Sequence, residues 1–471
     1  MGEPRTSREV ALEVLDRVDA DGAWSGVLLR RLLERARLGA AEEALATELT
    51  YGTLRHRAEV DWSLSRFTRT SLAALPSPIR AILRMGAYQL LFVRRIPAHA
   101  ACFEAVALAK RVGHDGTARL VNAVLRRVAA SPEVPGDGET VGAIAVRYSH
   151  PEWLVARWVD RFGLDGARAL CQANNATPPS AVRLNTLRGA PALLASRLAD
   201  RGVHTVPSLW LEEGRRIVTG PSDGAGPESA QAARASARQA AYREGWFAPQ
   251  DEASMLVGRL LAPQPGEIVI DACAAPGGKT AHLAALMGNR GRLIACDVQP
   301  RKVDDVGRQC ARLGVTIVDA RLLDGTRLGE EYPGAADRVL VDAPCSGLGV
   351  VRRRPEIKWR ARPGDFTELA GQQGRILAGA AGAVRRGGTL VYSVCTIEPE
   401  EGPEVVAGFL AAHPEFEPLP ITAWPPGPDG AAAAAADLNE SVDWGAPGTA
   451  TLLPHRSGTD GFFVAALRRA A

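Results

Sequence analysis

The sequence lacks the features that mark membrane, secreted or metal-binding chains. No apolar run approaches the roughly 20 residues that cross a bilayer. The first residues, Met1 to Arg8, are charged and hold no apolar core, so no secretory signal is expected. The seven cysteines are odd in number, scattered, and form no Cys-x-x-Cys pair. That argues against a disulfide framework or a zinc site and fits a reducing cytoplasm. A cytoplasmic chain with no metal and no membrane partner is therefore expected. Met and Lys are scarce, and there are no internal repeats. A strong charge of one sign is missing too: the net charge of +3 is too small by itself to imply a polyanionic partner.

What is present is length and pattern. A chain of 471 residues suggests about three domains, each large enough for its own core. Hydrophobic content of 46% and charged content of 23% place it among ordinary globular proteins. Charge is unevenly spread: from Arg55 to Arg127, thirteen Lys and Arg stand against four acids, a local net of +9. Such a block is either a phosphate-binding face or an ordinary solvated helical surface.

Residues 1–130 read as helices. Val10, Val14, Leu15 and Val18 share a helical face, as do Val27, Leu28, Leu32 and Leu33. Pro76 and Pro78 mark a helix start, and Leu120 to Val128 closes the bundle. Residues 131–140, with Pro132, Pro135, Gly136 and Gly138, form a linker. A small α+β unit over 141–245 follows, with an amphipathic helix near His150–Trp158 and a strand near Ser180–Asn185. Its last part, Thr219 to Ala241, is rich in Ala, Gly and Ser and reads as a mobile loop. From 246 to 471 strands alternate with helices: Ile268–Ile270, Arg292–Cys296, Val315–Asp319, Arg338–Val341 and Thr389–Val394. That order predicts a doubly wound α/β sheet, Rossmann-like, with ligands at the carboxyl ends of its strands. Thr449–Leu453 and Phe462–Leu467 predict a closing antiparallel hairpin, and the alanine run Ala431–Ala436 a loop insertion.

The first strand runs into Asp271-Ala-Cys-Ala-Ala-Pro-Gly-Gly-Lys-Thr280. Strand, glycine turn and helix start make a site where backbone N–H groups and the helix dipole can receive a ligand. The spacing is neither Gly-x-Gly-x-x-Gly nor Gly-x-x-x-x-Gly-Lys-Ser/Thr. The second strand ends on Asp297, 26 residues after Asp271, where a carboxylate can accept both ribose hydroxyls of a nucleotide-like cofactor. The fourth ends in Asp342-Ala-Pro-Cys345 and the fifth in Tyr392-Ser-Val-Cys395, so two cysteines face one ligand crevice. A lone buried cysteine is usually inert packing; a pair at strand ends suits nucleophilic chemistry.

Asp271 to Thr280 closely resembles the first motif of the RNA 5-methylcytosine methyltransferases, which use S-adenosylmethionine. Leu49-Thr-Tyr-Gly-Thr-Leu-Arg55, Leu83 to Phe92 and Val121 to Arg126 resemble the RNA-binding NusB-like antitermination domain. That domain precedes the catalytic part in the RsmB (Sun/Fmu) type of bacterial 16S ribosomal RNA cytosine-5 methyltransferases. Further matches are His150 to Trp158, Phe247 to Ser254, Val351 to Trp359, and Gly-Thr-Asp-Gly461 with the two phenylalanines after it. The resemblance implies an all-α N-terminal RNA-binding bundle and a Rossmann-like catalytic domain, acting as a monomer on RNA, with 16S ribosomal RNA the foremost partner. It assigns cofactor contacts to Cys273, Ala274, Ala275, Pro276, Gly277, Gly278, Lys279, Asp297, Lys302, Asp324 and Asp342.

Carbon 5 of cytosine is too weak a nucleophile to take a methyl group directly. A thiolate adding at carbon 6 makes an enamine that can, and a base must then remove the carbon 5 proton. Residue chemistry does not say which cysteine does which. The resemblance does: Cys395 attacks, and Cys345 assists proton removal and release. It further implies that Val351 to Trp359, basic and ending in an aromatic, holds RNA phosphates and stacks a base. The chain departs from the family after Pro399-Glu-Glu401, where Gly402-Pro403 replaces the usual Asn and puts the loop's geometry in question. Two other readings are the same chemistry on transfer RNA and a non-catalytic antitermination-like RNA binder with a dead methyltransferase fold. The two cysteines with their acids count against the second.

Overall fold

The computed structural model describes residues 5–218, 228–421 and 440–471. The run Ala431–Ala436 and the first part of the expected loop after Thr219 lie outside them. The chain forms two compact units: one holds residues up to Thr177 plus Val351–Arg360, the other Pro178–Val350 and Ala361–Ala471. The boundary therefore falls near 177, and residues 141–177, expected with the small α+β part, pack with the helical unit.

In the helical unit, Thr6 opens the first helix, Ser7–Ala20, with a capping box: it accepts from the Glu9 amide while Glu9 accepts from the Thr6 amide. Helix Ser77–Phe92 starts on proline and is buried on nearly every side, which makes it the central helix. Two glycines let neighbours approach it. A Cβ at Gly52 would meet the Tyr88 ring at 2.1 Å, and one at Gly86 would meet Leu125 at 2.5 Å. The Tyr-Gly-Thr and Met-Gly-Ala stretches thus owe their glycines to helix contact. The expected face of helix Ser25–Ala36 needs correction: Leu28, Leu29 and Leu32 are buried, whereas Val27 is 70% exposed.

The segment Val351–Arg360 packs into this unit. Ser25 donates its amide (3.1 Å) and hydroxyl (2.8 Å) to Glu356. Lys358 Nζ donates to Arg55 O (3.0 Å) and Asn175 Oδ1 (3.1 Å). Trp359 Nε1 donates to Leu54 O at 3.1 Å, and the Arg57 guanidinium lies 5.2 Å over the indole. Lys358 is wholly buried and Arg352 nearly so. The expectation that this segment grips phosphates and stacks a base is therefore corrected. Arg352, Lys358 and Trp359 are taken up by packing, and of Arg352, Arg353 and Arg354 only Arg354 is exposed.

The second unit begins with an antiparallel four-stranded sheet of order β2-β3-β1-β4, where β1 is Ser180–Leu184, β2 Thr205–Pro207, β3 Gly214–Ile217 and β4 Phe247–Pro249. Between β3 and β4 lies a helix, Glu228–Arg243, where the sequence suggested a loop. Alanine is the best helix former, and Ala241 is buried against Val182 and Phe247. The main sheet contains β5 (Ile268–Asp271), β6 (Arg292–Asp297), β7 (Val318–Leu322), β8 (Ala336–Asp342), β9 (Val384–Val394), β10 (Phe416–Pro418), β11 (Val442–Trp444), β12 (Thr449–Leu452) and β13 (Phe462–Arg469). Its order is β11-β12-β13-β9-β8-β5-β6-β7, with β10 paired to β13. Strands β5 to β9 are parallel, and β13 runs antiparallel beside β9. The sheet is thus mixed, not purely parallel. β7 begins three residues later than expected because Gly314 (φ 75°) and the Val315 amide, bonded to Cys310 O, close the preceding helix. From β5 the chain winds first through β6 and β7, then returns to β8 on the other side. The switch point lies between β5 and β8, where a crevice opens.

Burial pulls the Lys358 ammonium down to about 7, with the Arg55 charge adding to the effect against Cys171 and Glu59. An unfolded lysine titrates near ~10.4. Between these values the unfolded chain binds more protons, so stability should rise with pH over about 7 to 10. In urea titrations of the full chain, the midpoint of the helical unit's transition should climb across that window. Lys358→Met should flatten the slope, whatever it does to absolute stability. An unchanged slope would remove Lys358 as its source.

Candidate active site

The switch point collects most of the expected residues, from Cys273 to Lys279 with Asp342. After β5 the chain turns through Ala274, whose amide donates to Cys296 O at 2.8 Å, to Gly277, which has φ +97° and caps helix Gly278–Leu286. A Cβ at Gly277 would meet Val306 Cα at 3.0 Å, so both backbone and space require glycine there. Only Gly277 of the pair has positive φ; Gly278 instead leaves open space at the helix start. Asp271 receives the Thr280 hydroxyl at 2.7 Å, and burial lifts its carboxyl to about 7 despite that bond, with the Asp342 charge adding to the lift.

Lys279 projects from the first turn to Asp342 at the end of β8, Nζ to Oδ2 2.7 Å. Burial alone would lower its ammonium; the Asp342 charge and hydrogen bond outweigh burial and hold it above its ordinary value, with the Cys395 sulfur contributing. The other Asp342 oxygen accepts from Ser393 Oγ on β9 at 2.8 Å, and the Phe462 ring lies 5.1 Å from Lys279 Nζ.

The two cysteines meet: Cys345 Sγ and Cys395 Sγ are 3.4 Å apart. The hydrogen bond with Cys395, then burial and the Glu401 carboxylate, keep the Cys345 thiol well above its ordinary pKa. Glu401 is a residue that sequence reasoning passed over. It is fully buried and accepts from the Ser346 amide at 2.7 Å, the Ser346 hydroxyl, and Gln373 Nε2 at 3.0 Å. Gln373 also donates to Pro344 O at 2.9 Å, and Tyr392 OH donates to Glu401 O at 2.6 Å. Burial raises the Glu401 carboxyl against the opposing Ser346 bonds. Its signal in sequence was the Pro-Glu-Glu stretch beside the departure at Gly402. That departure has a physical use, because a Cβ on Gly402 would meet the Phe463 ring at 2.8 Å.

A cavity of about 190 Å³ opens beside the glycine turn. Cys273, Ala274, Ala275, Pro276, Gly278, Lys279, Asp271 and Asp342 line it, as do Gln250, Asp251 and Ser254. The last three were missed as site residues, although their segment was singled out. Asp251 accepts the Ala253 amide (2.9 Å) and the Asp460 amide (3.1 Å), which ties the closing loop to the cavity wall. Asp297, Lys302 and Asp324 do not line this cavity: Asp297 ends β6, Lys302 sits in the first turn of the helix Pro300–Leu313, and Asp324 follows β7. Asp297 Oδ1 accepts the Gln299 amide at 3.1 Å, and Lys302 Nζ lies 3.9 Å from Oδ2. Asp324 is exposed and accepts both the amide and the hydroxyl of Thr326 at 2.9 Å. Its neighbour Leu323 donates its amide to Asp297 O. Among the described residues no cluster of His, Cys, Asp and Glu could hold a metal, and no helix is long and apolar enough to cross a membrane.

Comparison with known proteins finds relatives over nearly the whole chain. The probable ribosomal RNA small subunit methyltransferase B of Bacillus subtilis (strain 168) is 36% identical over 467 residues, 98% of each chain. The chain belongs to this methyltransferase family. The ribosomal RNA small subunit methyltransferase B of Sodalis glossinidius is 34% identical over 97% of this chain and 96% of that one. Residues 258–468 match the 16S rRNA methyltransferase RsmB/F family, 150–221 its ferredoxin-like domain, and 5–130 the NusB family. The crystal structure of PH0851 covers 100% of both chains at 26% identity with a TM-score of 0.78. A methyltransferase homolog protein from Pyrococcus horikoshii covers 71% of this chain and 100% of its own, 27% identical with a TM-score of 0.56. As a family member the chain is an S-adenosylmethionine-dependent RNA methyltransferase. The residues present fit that cofactor: an open helix start at Gly278, a buried ammonium, and a strand-end carboxylate at Asp297 suited to ribose hydroxyls.

Asp297→Ala should weaken S-adenosylmethionine binding by at least tenfold on calorimetry, since each charge-assisted hydrogen bond is worth ~1.5–3 kcal/mol. Equal affinity would take Asp297 out of the site. Gly349 tests the cysteine loops separately. Its amide donates to Cys395 O at 3.0 Å, and its added Cβ would meet Gly461 O at 2.0 Å. Gly349→Ala should cut methylation by about a hundredfold or more while leaving cofactor affinity near wild type, because displaced cysteines lose near-attack geometry.

Proposed function

We propose that the chain methylates carbon 5 of a cytosine in 16S ribosomal RNA, working as a cytoplasmic monomer, with Cys395 as nucleophile and Cys345 as the releasing base. The observation that carries this is the pair of sulfurs 3.4 Å apart, with the Lys279 ammonium acting on Cys395 and the Cys345 thiol held protonated. A nearby ammonium favours a thiolate, so the charge of Lys279 supports Cys395 in the attacking role alongside the family likeness. The named relatives act on small-subunit ribosomal RNA, which supports that substrate.

In this reading the Cys395 thiolate adds to carbon 6 and the electron pair of the C5–C6 double bond moves toward carbon 5. S-adenosylmethionine, when bound, supplies the electrophilic methyl group. The Cys273–Lys279 turn, Asp297, Lys302, Asp324 and Asp342 hold it, and Asp342 also hydrogen-bonds the base. Once Cys395 is bonded to carbon its negative charge is gone, and the hydrogen bond that keeps Cys345 protonated goes with it. Cys345 can then lose its proton to solvent and take the one on carbon 5. The C5–C6 double bond reforms, the C6–S bond breaks, and Cys395 leaves as thiolate.

The two cysteines should separate cleanly on substitution. Incubated with cofactor and 16S ribosomal RNA, Cys345→Ala should leave a protein–RNA band that survives denaturing electrophoresis. Cys395→Ala should leave none, and neither variant should turn over. A trapped band with Cys395→Ala would reverse the roles. Bisulfite sequencing of ribosomal RNA from cells lacking the protein should show one cytosine newly unprotected, and intact protection at every site would sink the substrate.

A further inference from the structure

The basic block from Arg55 to Arg127 divides in two in the folded unit. Arg57, Arg80 and Arg84 are spent on Asp19 and Asp61, Arg66 on Glu133, and Arg111 on Glu9. Lys110, Arg119 and Arg126, by contrast, make no ion pair or side-chain hydrogen bond among the described residues. All three line one cavity of about 780 Å³ between helices Ala98–Val112 and Asp115–Ala130, with Asp115 the one acid in its wall.

The same cavity displays Phe103, 71% exposed. Its helix buries Ala101, Cys102, Ala105, Leu108 and Ala109, so Phe103 lies off the core face and stands in water beside three unneutralised cations. Asn122, half-buried in the wall, adds an amide that can both donate and accept.

We infer that this groove holds single-stranded RNA, one base stacked on Phe103 and the flanking phosphates on Lys110, Arg119 and Arg126. Charge complementarity selects the occupant: three free cations against one acid call for a polyanion, and an exposed phenyl calls for one with flat π faces. Single-stranded RNA supplies both, and stacking on an aromatic with phosphates on Lys and Arg is how such strands are held without sequence preference. An acidic protein helix would match the charge but leave the phenyl face without a flat partner. The inference rests on the reading of RNA as substrate and deepens it, since it gives the helical unit its own hold on that RNA.

The test uses the full chain and a fluorescein-labelled 16-nucleotide single-stranded RNA of mixed sequence, followed by anisotropy over a range of salt. Phe103→Ala should weaken binding about tenfold, and Phe103→Trp should restore it. Arg119→Ala with Arg126→Ala should lower the slope of log affinity against log salt by about 1.4, or about 0.7 per lost phosphate contact. Arg66→Ala, whose partner is Glu133, should change neither. The helical circular dichroism signal and the urea midpoint of the helical unit should stay near the wild-type values in all of them, which shows that this unit folds. Variants that bind RNA as the wild type does, with its salt slope, would overturn the groove while leaving the substrate reading intact. If those variants instead shift self-association in sedimentation, the groove belongs to a second copy of the chain. A wild-type chain that neither binds nor methylates RNA would overturn the substrate reading, and the groove with it.

Discussion

The ion pair between Lys279 and Asp342 holds the site together. It joins the first turn of the helix after β5 to the end of β8, across the switch point where the sheet must be open to admit a ligand. Both groups are largely buried, so each makes the other tolerable. Removing one partner of such a pair costs about 3–5 kcal/mol, because an uncompensated charge is left behind. The pair is also shared outward. Asp342 takes the Ser393 hydroxyl from β9, and Lys279 lies beside the Phe462 ring, with the Cys395 sulfur adding to the charges that hold its ammonium up. One cation therefore ties the glycine turn to the end of β8 and, through Asp342, to Ser393 on β9.

Around that pair the structure spends polar groups on position more than on chemistry. Glu401 touches neither cysteine through a hydrogen bond, yet it clamps the Ser346 amide and hydroxyl and, through Gln373, the Pro344 carbonyl. Those are the residues on either side of Cys345. A carboxylate buried this deeply survives because three donors satisfy it. The result is a thiol loop whose backbone cannot drift relative to β9, which lets two sulfurs stay near 3.4 Å without a covalent bond.

How much of this was legible follows from where each piece sits in the chain. The motif residues at strand ends could be read because alternation places such ends on one side of a parallel sheet, and Lys279, Asp342, Cys345 and Cys395 do converge. Glu401, Gln250 and Asp251 could not be assigned, because their roles depend on which loops touch after folding. Composition misled where burial decides. Val351 to Trp359 looks like an RNA grip, yet Lys358 and Trp359 satisfy backbone carbonyls inside the helical unit. Glu228–Arg243 looks like a linker by its small residues, yet alanine lowers the cost of helix and Ala241 finds a core. The basic block was undecidable by counting, since acids outside it, Asp19, Glu9 and Glu133, neutralise part of it from a distance in sequence.

The closing hairpin shows how the last stretch of chain becomes part of the site. β13 inserts antiparallel beside β9, so the loop before it arrives at the carboxyl ends of the parallel strands. Asp460 there bonds Asp251 at the cavity wall, Gly461 donates to Gly349 O at 2.8 Å, and Phe462 covers Lys279. Gly349 and Gly461 come so close that neither position has room for a side chain. A parallel β13 beside β9 would have started at the amino ends of the strands and left the cysteine loops without this wall. The reversal of one strand is thus what brings the cavity beside the glycine turn, the Cys345 loop and the ammonium under a single cover, and the glycine pair is the steric condition for that contact.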